Sequence, residues 1–201
     1  MVQLDNSKIV ILGTGGTIAG TAAQAGDNIG YLAAQVGVDQ LIRSVASLSS
    51  VLGEGNLVTE QVAQVDSKDM GSAVWRELAL RCAQWLADRT VKGIVITHGT
   101  DTLEETAWFL QSVLQPRKPV VLTCAMRPAT AVAPDGPQNI LDAVTVALDP
   151  LATGVVAVCA GVVRDAQAIE AGDVVAAAGE LPQGHAAHRT HAHDRNLLCC
   201  H

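Results

Sequence analysis

Five short apolar runs, separated by stretches with helical periodicity, constrain this chain more than any other feature. The runs are Ile9 to Leu12, Val58 to Val65, Gly93 to Thr97, Pro119 to Cys124 and Gly154 to Cys159. Most are continuously apolar rather than alternating, so they predict strands buried on both faces, the mark of a parallel sheet covered by helices. The intervening segments supply those helices. Val38, Leu41, Ile42, Val45 and Leu48 form one stripe, and Val74, Leu78, Cys82, Trp85 and Leu86 a second. Leu103, Thr106, Ala107, Leu110 and Leu114 form a third, and Ile140, Leu141, Val144 and Leu148 a fourth. Each stripe steps by three and four residues, which puts its members on one helical face. The expectation is an α/β fold: a doubly wound, mostly parallel sheet flanked by helices.

A chain of 201 residues that is 49% hydrophobic and 16% charged has enough apolar surface to offset chain entropy, which excludes general disorder. One main domain over residues 1–163 is expected. After that point the composition shifts: residues 164–201 have no aromatic side chain and no lysine, and hold five of the six histidines. This tail is expected to be irregular, and the abrupt change reads as a frame change or truncation. A net charge of -7 argues against nucleic acid as a partner, since no basic footprint is available to neutralise phosphates. No apolar run reaches the roughly 18 residues needed to span a bilayer, so no membrane partner is expected. The opening MVQLDNSK lacks the flank and core of a signal peptide, and a cytoplasmic location is expected. The five cysteines are odd in number and show no CxxC spacing. Cys82, Cys124 and Cys159 sit in apolar contexts and are expected in the core of a protein from a reducing compartment.

In open α/β sheets ligands bind beyond the carboxyl ends of the strands. Four strand-end loops here are crowded with small and polar residues: Gly13 to Gly20, Asp66 to Asp69, His98 to Asp101 and Ala125 to Pro128. The first reads GTGGTIAG. It has neither the spacing and following helix of a dinucleotide fingerprint nor the lysine of a phosphate-binding loop, so its role stays open between a phosphate cradle and something else. In the third loop Thr102 and Glu105 form a T-x-x-E pattern, which predicts a capping box and a helix starting near Thr102. Thr100 and Asp101 then precede that helix, where its first N–H groups suit an oxyanion or a carboxylate. Taken alone, they read better as ordinary caps.

The combination of motifs is more specific. ILGTGGTIAG at 11–20 and GIVITHGTDTLEETAWFL at 93–110 stand with Tyr31 before QVGVDQLI, EQVAQVDSKDM at 60–70, AMRP at 125–128 and DGPQNILDAV at 135–144. Over residues 7–162 this set resembles the bacterial-type L-asparaginase and glutaminase family, in its amino-terminal catalytic domain. The resemblance implies hydrolysis of L-asparagine to L-aspartate and ammonia through a threonine acyl-enzyme, with L-glutamine as a poorer substrate. Thr17 would be the nucleophile, Tyr31 its activating neighbour on a flap, and Thr100 with Asp101 the second catalytic pair. Ser67 would bind the substrate α-carboxylate and Asp101 its α-ammonium. Gly16, Lys68, Thr100 and Ala125 would complete the substrate pocket. No metal or organic cofactor is implied, and family members assemble as homotetramers. The residue type at the position of Lys68 is connected in the family with the balance between asparagine and glutamine. His98 is read as structural, and Met126, Arg127 and Pro128 as architectural.

Two departures stand out. The family's catalytic lysine follows the fifth strand, yet here the sequence reads AGVVRDAQAIEAGD and no lysine occurs after Lys118. Arg164 is nearby but stays protonated and cannot serve as a base, so a severe loss of turnover is expected. The family's smaller second domain, whose partner copy completes each site, is also expected to be absent. Two other readings compete: a non-catalytic fragment that binds aspartate or asparagine through Ser67 and Asp101, and a nucleotide-binding domain using the glycine loop. A zinc site among His185, His188, His191, His193, Cys199, Cys200 and His201 is weighed against an irregular tail, and the tail is preferred.

Overall fold

The computed structural model describes residues 7–167 apart from 25, 54 and 55. Strands β1 (Lys8–Gly15), β2 (Leu57–Val65), β3 (Val91–Thr97), β4 (Val120–Thr123), β5 (Val155–Cys159) and β6 (Val162–Asp165) form one sheet in the order β2-β1-β3-β4-β5-β6. All neighbours run parallel except β5 and β6. Helices α1 (Val38–Arg43), α2 (Leu48–Leu52), α3 (Ser72–Ala87), α4 (Leu103–Leu114) and α5 (Gly136–Leu148) cover it.

Side chains alternate across a strand, so each inner strand feeds two cores. Ile9, Ile11, Val95, Val121 and Val156 pack with Val38, Leu41, Leu48, Ile140 and Val144 of α1, α2 and α5. Val10, Leu12, Ile94, Ile96 and Leu122 pack on the other face with Leu78, Cys82, Leu103 and Leu110 of α3 and α4. Two apolar faces per strand explain why the runs are continuous, and they make the architecture doubly wound as expected. Strand β2 lies at an edge and is only half-buried. There the Glu60 carboxylate accepts hydrogen bonds from Arg81 Nε and Trp85 Nε1 of α3, and the Arg81 guanidinium holds that carboxyl below its usual range.

Two elements differ from the sequence expectation. The stripe from Val38 to Leu48 belongs to two short helices, because the Ser44 hydroxyl donates to Leu41 O at 2.6 Å. The N–H groups of Ser44 and Val45 then reach back only three residues, which tightens and ends the first helix. All five stripe residues are nonetheless buried. The second difference is β6, which crosses the expected boundary at residue 163. Cys159 pairs with Val162 across a two-residue turn of Ala160 and Gly161, with φ of 52° and 74°. Two positive φ values match the twist of a tight antiparallel hairpin. Beyond the strand Ala166 is buried and donates its N–H to Val155 O at 3.0 Å. Two apolar residues followed by Arg164 and Asp165 are too short a pattern to register as a strand. The tail histidines and Cys199, Cys200 and His201 lie outside the described residues. Among the described residues no helix is long and apolar enough to cross a membrane.

The central strands carry the stability that holds the strand ends in place. Ile96, fully buried in β3, should cost about 2–5 kcal/mol when cut to alanine. Denaturant unfolding of the Ile96→Ala variant checks this, with a lowered midpoint at unchanged slope.

Candidate active site

The strand order reverses between β1 and β3, which are neighbours although β2 comes between them in sequence. At such a switch point the loops leaving adjacent strands diverge and open a crevice. The β1 and β3 loops carry Gly16-Thr17 and Gly99-Thr100-Asp101. The β2 loop, on the other side of β1, carries Ser67.

These three loops approach one another with almost nothing between them. Strand β1 shifts register between Gly13 and Gly15. Beyond the shift the N–H of Gly16 donates to Val65 O at 2.9 Å, and the Thr14 hydroxyl donates to Thr97 O at 3.0 Å. Gly16 has φ of 76°, and a Cβ placed on it would lie 2.3 Å from the Gly99 Cα. Both its conformation and its surroundings therefore demand glycine. A Cβ on Gly99 would in turn lie 2.4 Å from Ser67 Oγ. Backbone against backbone at this point brings together the three loops that carry Thr17, Ser67 and Thr100.

Thr17 begins a short 3₁₀ turn, Thr17–Ala19, and is almost fully buried. Its Oγ1 lies 2.8 Å from the hydroxyl of Tyr31. Tyr31 is held there by the segment preceding it: Asp27 Oδ1 accepts from the N–H groups of Ile29 and Gly30 at 3.0 and 2.7 Å. A backbone bridge between Thr21 and Leu32 closes the base of this flap. The outer side of the flap is apolar and open, with Ile29 and Leu32 exposed.

Ser67, 3% exposed, is bonded to Asp101 twice. Its hydroxyl donates to Asp101 Oδ2 and accepts from the Asp101 N–H, both at 3.1 Å. Thr102 does begin the α4 region, but no capping box forms. Its hydroxyl donates instead to Ser67 O at 2.9 Å, tying the β2 loop to the helix start. Asp101 itself is exposed, so its second oxygen can face a ligand. Lys68 does not join this cluster. It is exposed, with its ammonium on the carboxylates of Asp66 and Asp69, and the Asp66 contact raises its pKa. Ala125 is buried, so what it can offer a ligand is backbone.

His98 and Thr106 lie beneath the third loop. The His98 ring is fully buried; Nδ1 is 2.8 Å from Gly99 O, and Nε2 is 3.0 Å from Thr106 Oγ1. A carbonyl carries no proton, so Nδ1 is the protonated nitrogen of a neutral ring and Nε2 is an acceptor; the single proton of the Thr106 hydroxyl is shared between Nε2 and Thr102 O, the latter 2.7 Å away. That hydroxyl also accepts from Trp75 Nε1 at 2.9 Å. Burial lowers the His98 pKa from 6.5 to about 4, against the opposing pull of Gly99 O and the Asp101 charge. His98 thus braces the carbonyl of Gly99 as a structural residue. The sequence shows Thr102 only as a helix cap, and neither the Thr106 hydroxyl nor Trp75 of α3 stands out in it. Thr106 was visible only as a member of an apolar stripe, and its hydroxyl was the available signal.

Other groups lie away from the crevice. Arg164 faces Ala157 in mid-strand, and its Nε is buried without a hydrogen-bond partner. Lys118 donates to Leu86 O and Asp88 O, at 2.9 and 2.6 Å, at the far end of the sheet. A polar cavity of about 650 Å³, lined by Gln111, Gln115, Thr153 and Asp165 among others, is also at that far end. Among the described residues no group of three or more His, Cys, Asp or Glu side chains could hold a metal.

An α/β domain that presents two threonines, a serine and a carboxylate at its topological switch point belongs to the class of folds that bind small polar ligands at strand ends. The family profile described as "Asparaginase, N-terminal" matches residues 8–197. The glutaminase-asparaginase of Pseudomonas fluorescens biotype A is 46% identical over 141 residues, covering 70% of this chain and 38% of that protein. L-asparaginase 2 of Bacillus subtilis is 44% identical over 150 residues, covering 75% and 39%. In structure, the probable cytoplasmic L-asparaginase of Campylobacter jejuni superposes with a TM-score of 0.78 at 39% identity, covering 84% of this chain and 51% of that one. The chain belongs to the asparaginase family, in its amino-terminal domain. It spans about two fifths of the length of these two curated relatives.

The buried His98 makes stability depend on pH. Between pH 6.5 and about 4 the unfolded chain takes up a proton on this ring that the folded chain refuses, so acidification favours unfolding. The contribution, complete above pH 6.5, amounts to about 3 kcal/mol and is lost on descending toward pH 4. Unfolding free energies of the native chain and a His98→Gln variant, measured from pH 7 to 4, should converge as the pH falls. A constant difference would contradict a neutral buried ring.

Proposed function

We propose that this chain supplies the nucleophile and the amino-acid clamp of an amidohydrolase that converts L-asparagine and water to L-aspartate and ammonia. The observation that carries this reading is the Thr17 Oγ1 to Tyr31 hydroxyl contact at 2.8 Å, in the crevice that also holds Ser67 and Asp101. Thr17 Oγ1 attacks the side-chain amide carbon, and its proton passes to the Tyr31 hydroxyl as that hydroxyl gives its own to the departing amide nitrogen. Collapse of the tetrahedral intermediate breaks the C–N bond and releases ammonia, leaving an ester on Thr17 that water hydrolyses to aspartate. N–H groups at the start of α4 stabilise the developing oxyanion. Ser67 takes the substrate α-carboxylate, and the exposed oxygen of Asp101 takes the α-ammonium.

Thr100 pairs with Asp101 as the second catalytic threonine, and Gly16 and Ala125 present backbone to the substrate. Lys68, already held by Asp66 and Asp69, faces the substrate carboxylate only at longer range. L-glutamine is the second substrate, as the glutaminase-asparaginase of Pseudomonas fluorescens among the relatives suggests. Homotetramers and a cytoplasmic location complete the proposal. The buried free thiols of Cys82, Cys124 and Cys159 fit a reducing compartment.

One observation favours binding without efficient turnover as the second reading. No lysine follows Lys118 in the sequence, so the Thr100 and Asp101 pair lacks the family's proton acceptor. A missing general base costs about 10²–10⁴-fold in rate.

Calorimetry with L-aspartate and an ammonia-release assay test both readings. Thr17→Ala should abolish ammonia release while L-aspartate still binds. Equal release by the variant would refute the nucleophile assignment, and heat with ADP or NAD but not with L-aspartate would refute the amino-acid clamp.

A further inference from the structure

Helix α5 begins with a carboxylate whose shortest hydrogen bonds leave the helix, with a longer one, 3.5 Å, from Asn139 Nδ2 within it. Asp135, 8% exposed, precedes the helix and does not cap it with its side chain. Its Oδ2 accepts from the N–H of Met126 and its Oδ1 from the N–H of Arg127, both at 2.9 Å. The Arg127 guanidinium adds a contact at 3.5 Å. One turn later Asn139 donates to Cys124 O at 2.9 Å and accepts from the Ala160 N–H at 3.1 Å. The segment leaving β4 is thereby fixed to α5, which is itself packed on the sheet.

The other end of that segment holds the flap. Ala129 donates its N–H to Gly20 O at 2.9 Å. The Thr130 hydroxyl accepts from the Ala22 N–H at 2.8 Å. Gly20 and Ala22 flank Thr21, whose backbone exchanges hydrogen bonds with Leu32 at 2.9 and 2.8 Å. Tyr31 is the residue before Leu32. Without these contacts the flap would rest on its own turn, the Thr21 bridge, the hydroxyl contact to Thr17 and the bonds by which Ala34, Gln35 and Val36 donate to Gly16 O and Ala19 O beyond Tyr31.

We propose that the β4–α5 segment is a strut, and that Asp135 and Thr130 are positioning residues that hold Tyr31 against Thr17. Asp135 sets the segment's place, and Thr130 passes it to the flap. The catalytic meaning of the strut rests on the function proposed above, whereas its geometry does not. A charged acceptor serving two N–H groups is needed, because an asparagine amide would present its NH₂ to one of them.

The sequence contains one tyrosine, so 3-fluorotyrosine incorporated into the full chain gives a single ¹⁹F resonance that reports Tyr31 without requiring turnover. Thr17→Val supplies the reference position for a broken contact. Thr130→Val and Asp135→Asn should each move the resonance from the native position toward that reference. Thr130 is exposed at its contact with Ala22, so its variant should keep the native thermal midpoint within about 2 °C and decides the matter should Asp135→Asn fail to fold. Thr145→Val, which removes only a hydroxyl bonded within α5 to Leu141 O, should leave the resonance unmoved. A resonance at the native position in the Thr130→Val chain overturns the strut, as does one that does not distinguish native from Thr17→Val. Failure of L-aspartate to bind, with the resonance responding as described, would overturn the proposed function and leave the strut standing.

Discussion

The structure depends on one close approach, that of the Gly16 backbone to the Gly99 backbone. Neither position has room for a single methyl group: the first would meet the main chain of the β3 loop and the second the Ser67 side chain. Because the β1 and β3 loops touch directly, the backbones of the residues that follow, Thr17 and Thr100, leave from one point of contact. Ser67, wedged beneath Gly99 and bonded to Asp101, brings in the β2 loop. The parallel sheet supplies this arrangement through its order alone, since β1 and β3 must be neighbours for their loops to meet.

Polar groups are buried around that contact in a way that leaves the backbone little freedom. Thr14 bonds Thr97 O, His98 bonds Gly99 O and Thr102 bonds Ser67 O. The bonds to Thr97 O and Gly99 O occupy carbonyls near a strand end, and Thr102 adds a second bond to Ser67 O, which also accepts from the Met70 N–H. Such satisfied networks are rigid, and rigidity here serves position: the hydroxyl at Thr17 and the carboxylate at Asp101 sit on short loops whose carbonyls are already occupied. The flap bearing Tyr31 is different. Its outer face is apolar and exposed.

Much of this was legible in the sequence because it follows from period and composition. Continuous apolar runs declared strands with two buried faces, and the runs from Gly93 and Pro119 lie close to the observed β3 and β4. Strand-end loops rich in small residues marked where Thr17, Ser67 and Asp101 lie. What escaped was decided by single hydrogen bonds. Ser44 ends a helix that the stripe from Val38 to Leu48 would have continued. Thr102 turns its hydroxyl to Ser67 O instead of capping its own helix. The β6 hairpin rests on the two positive φ values at Ala160 and Gly161, and alanine gives no warning of such a conformation. Lys68 was drawn toward the site by its neighbour Ser67, but two adjacent carboxylates at the surface hold it more cheaply than a buried pocket would.

The central claim is that three loops form one site for one amino acid. A crystal structure of the chain with L-aspartate tests it most directly. The account predicts the ligand's α-carboxylate on Ser67, its α-ammonium on Asp101, and its side-chain carboxylate within about 3 Å of Thr17 Oγ1. L-aspartate bound elsewhere, or bound here with its side chain turned away from Thr17, would contradict it.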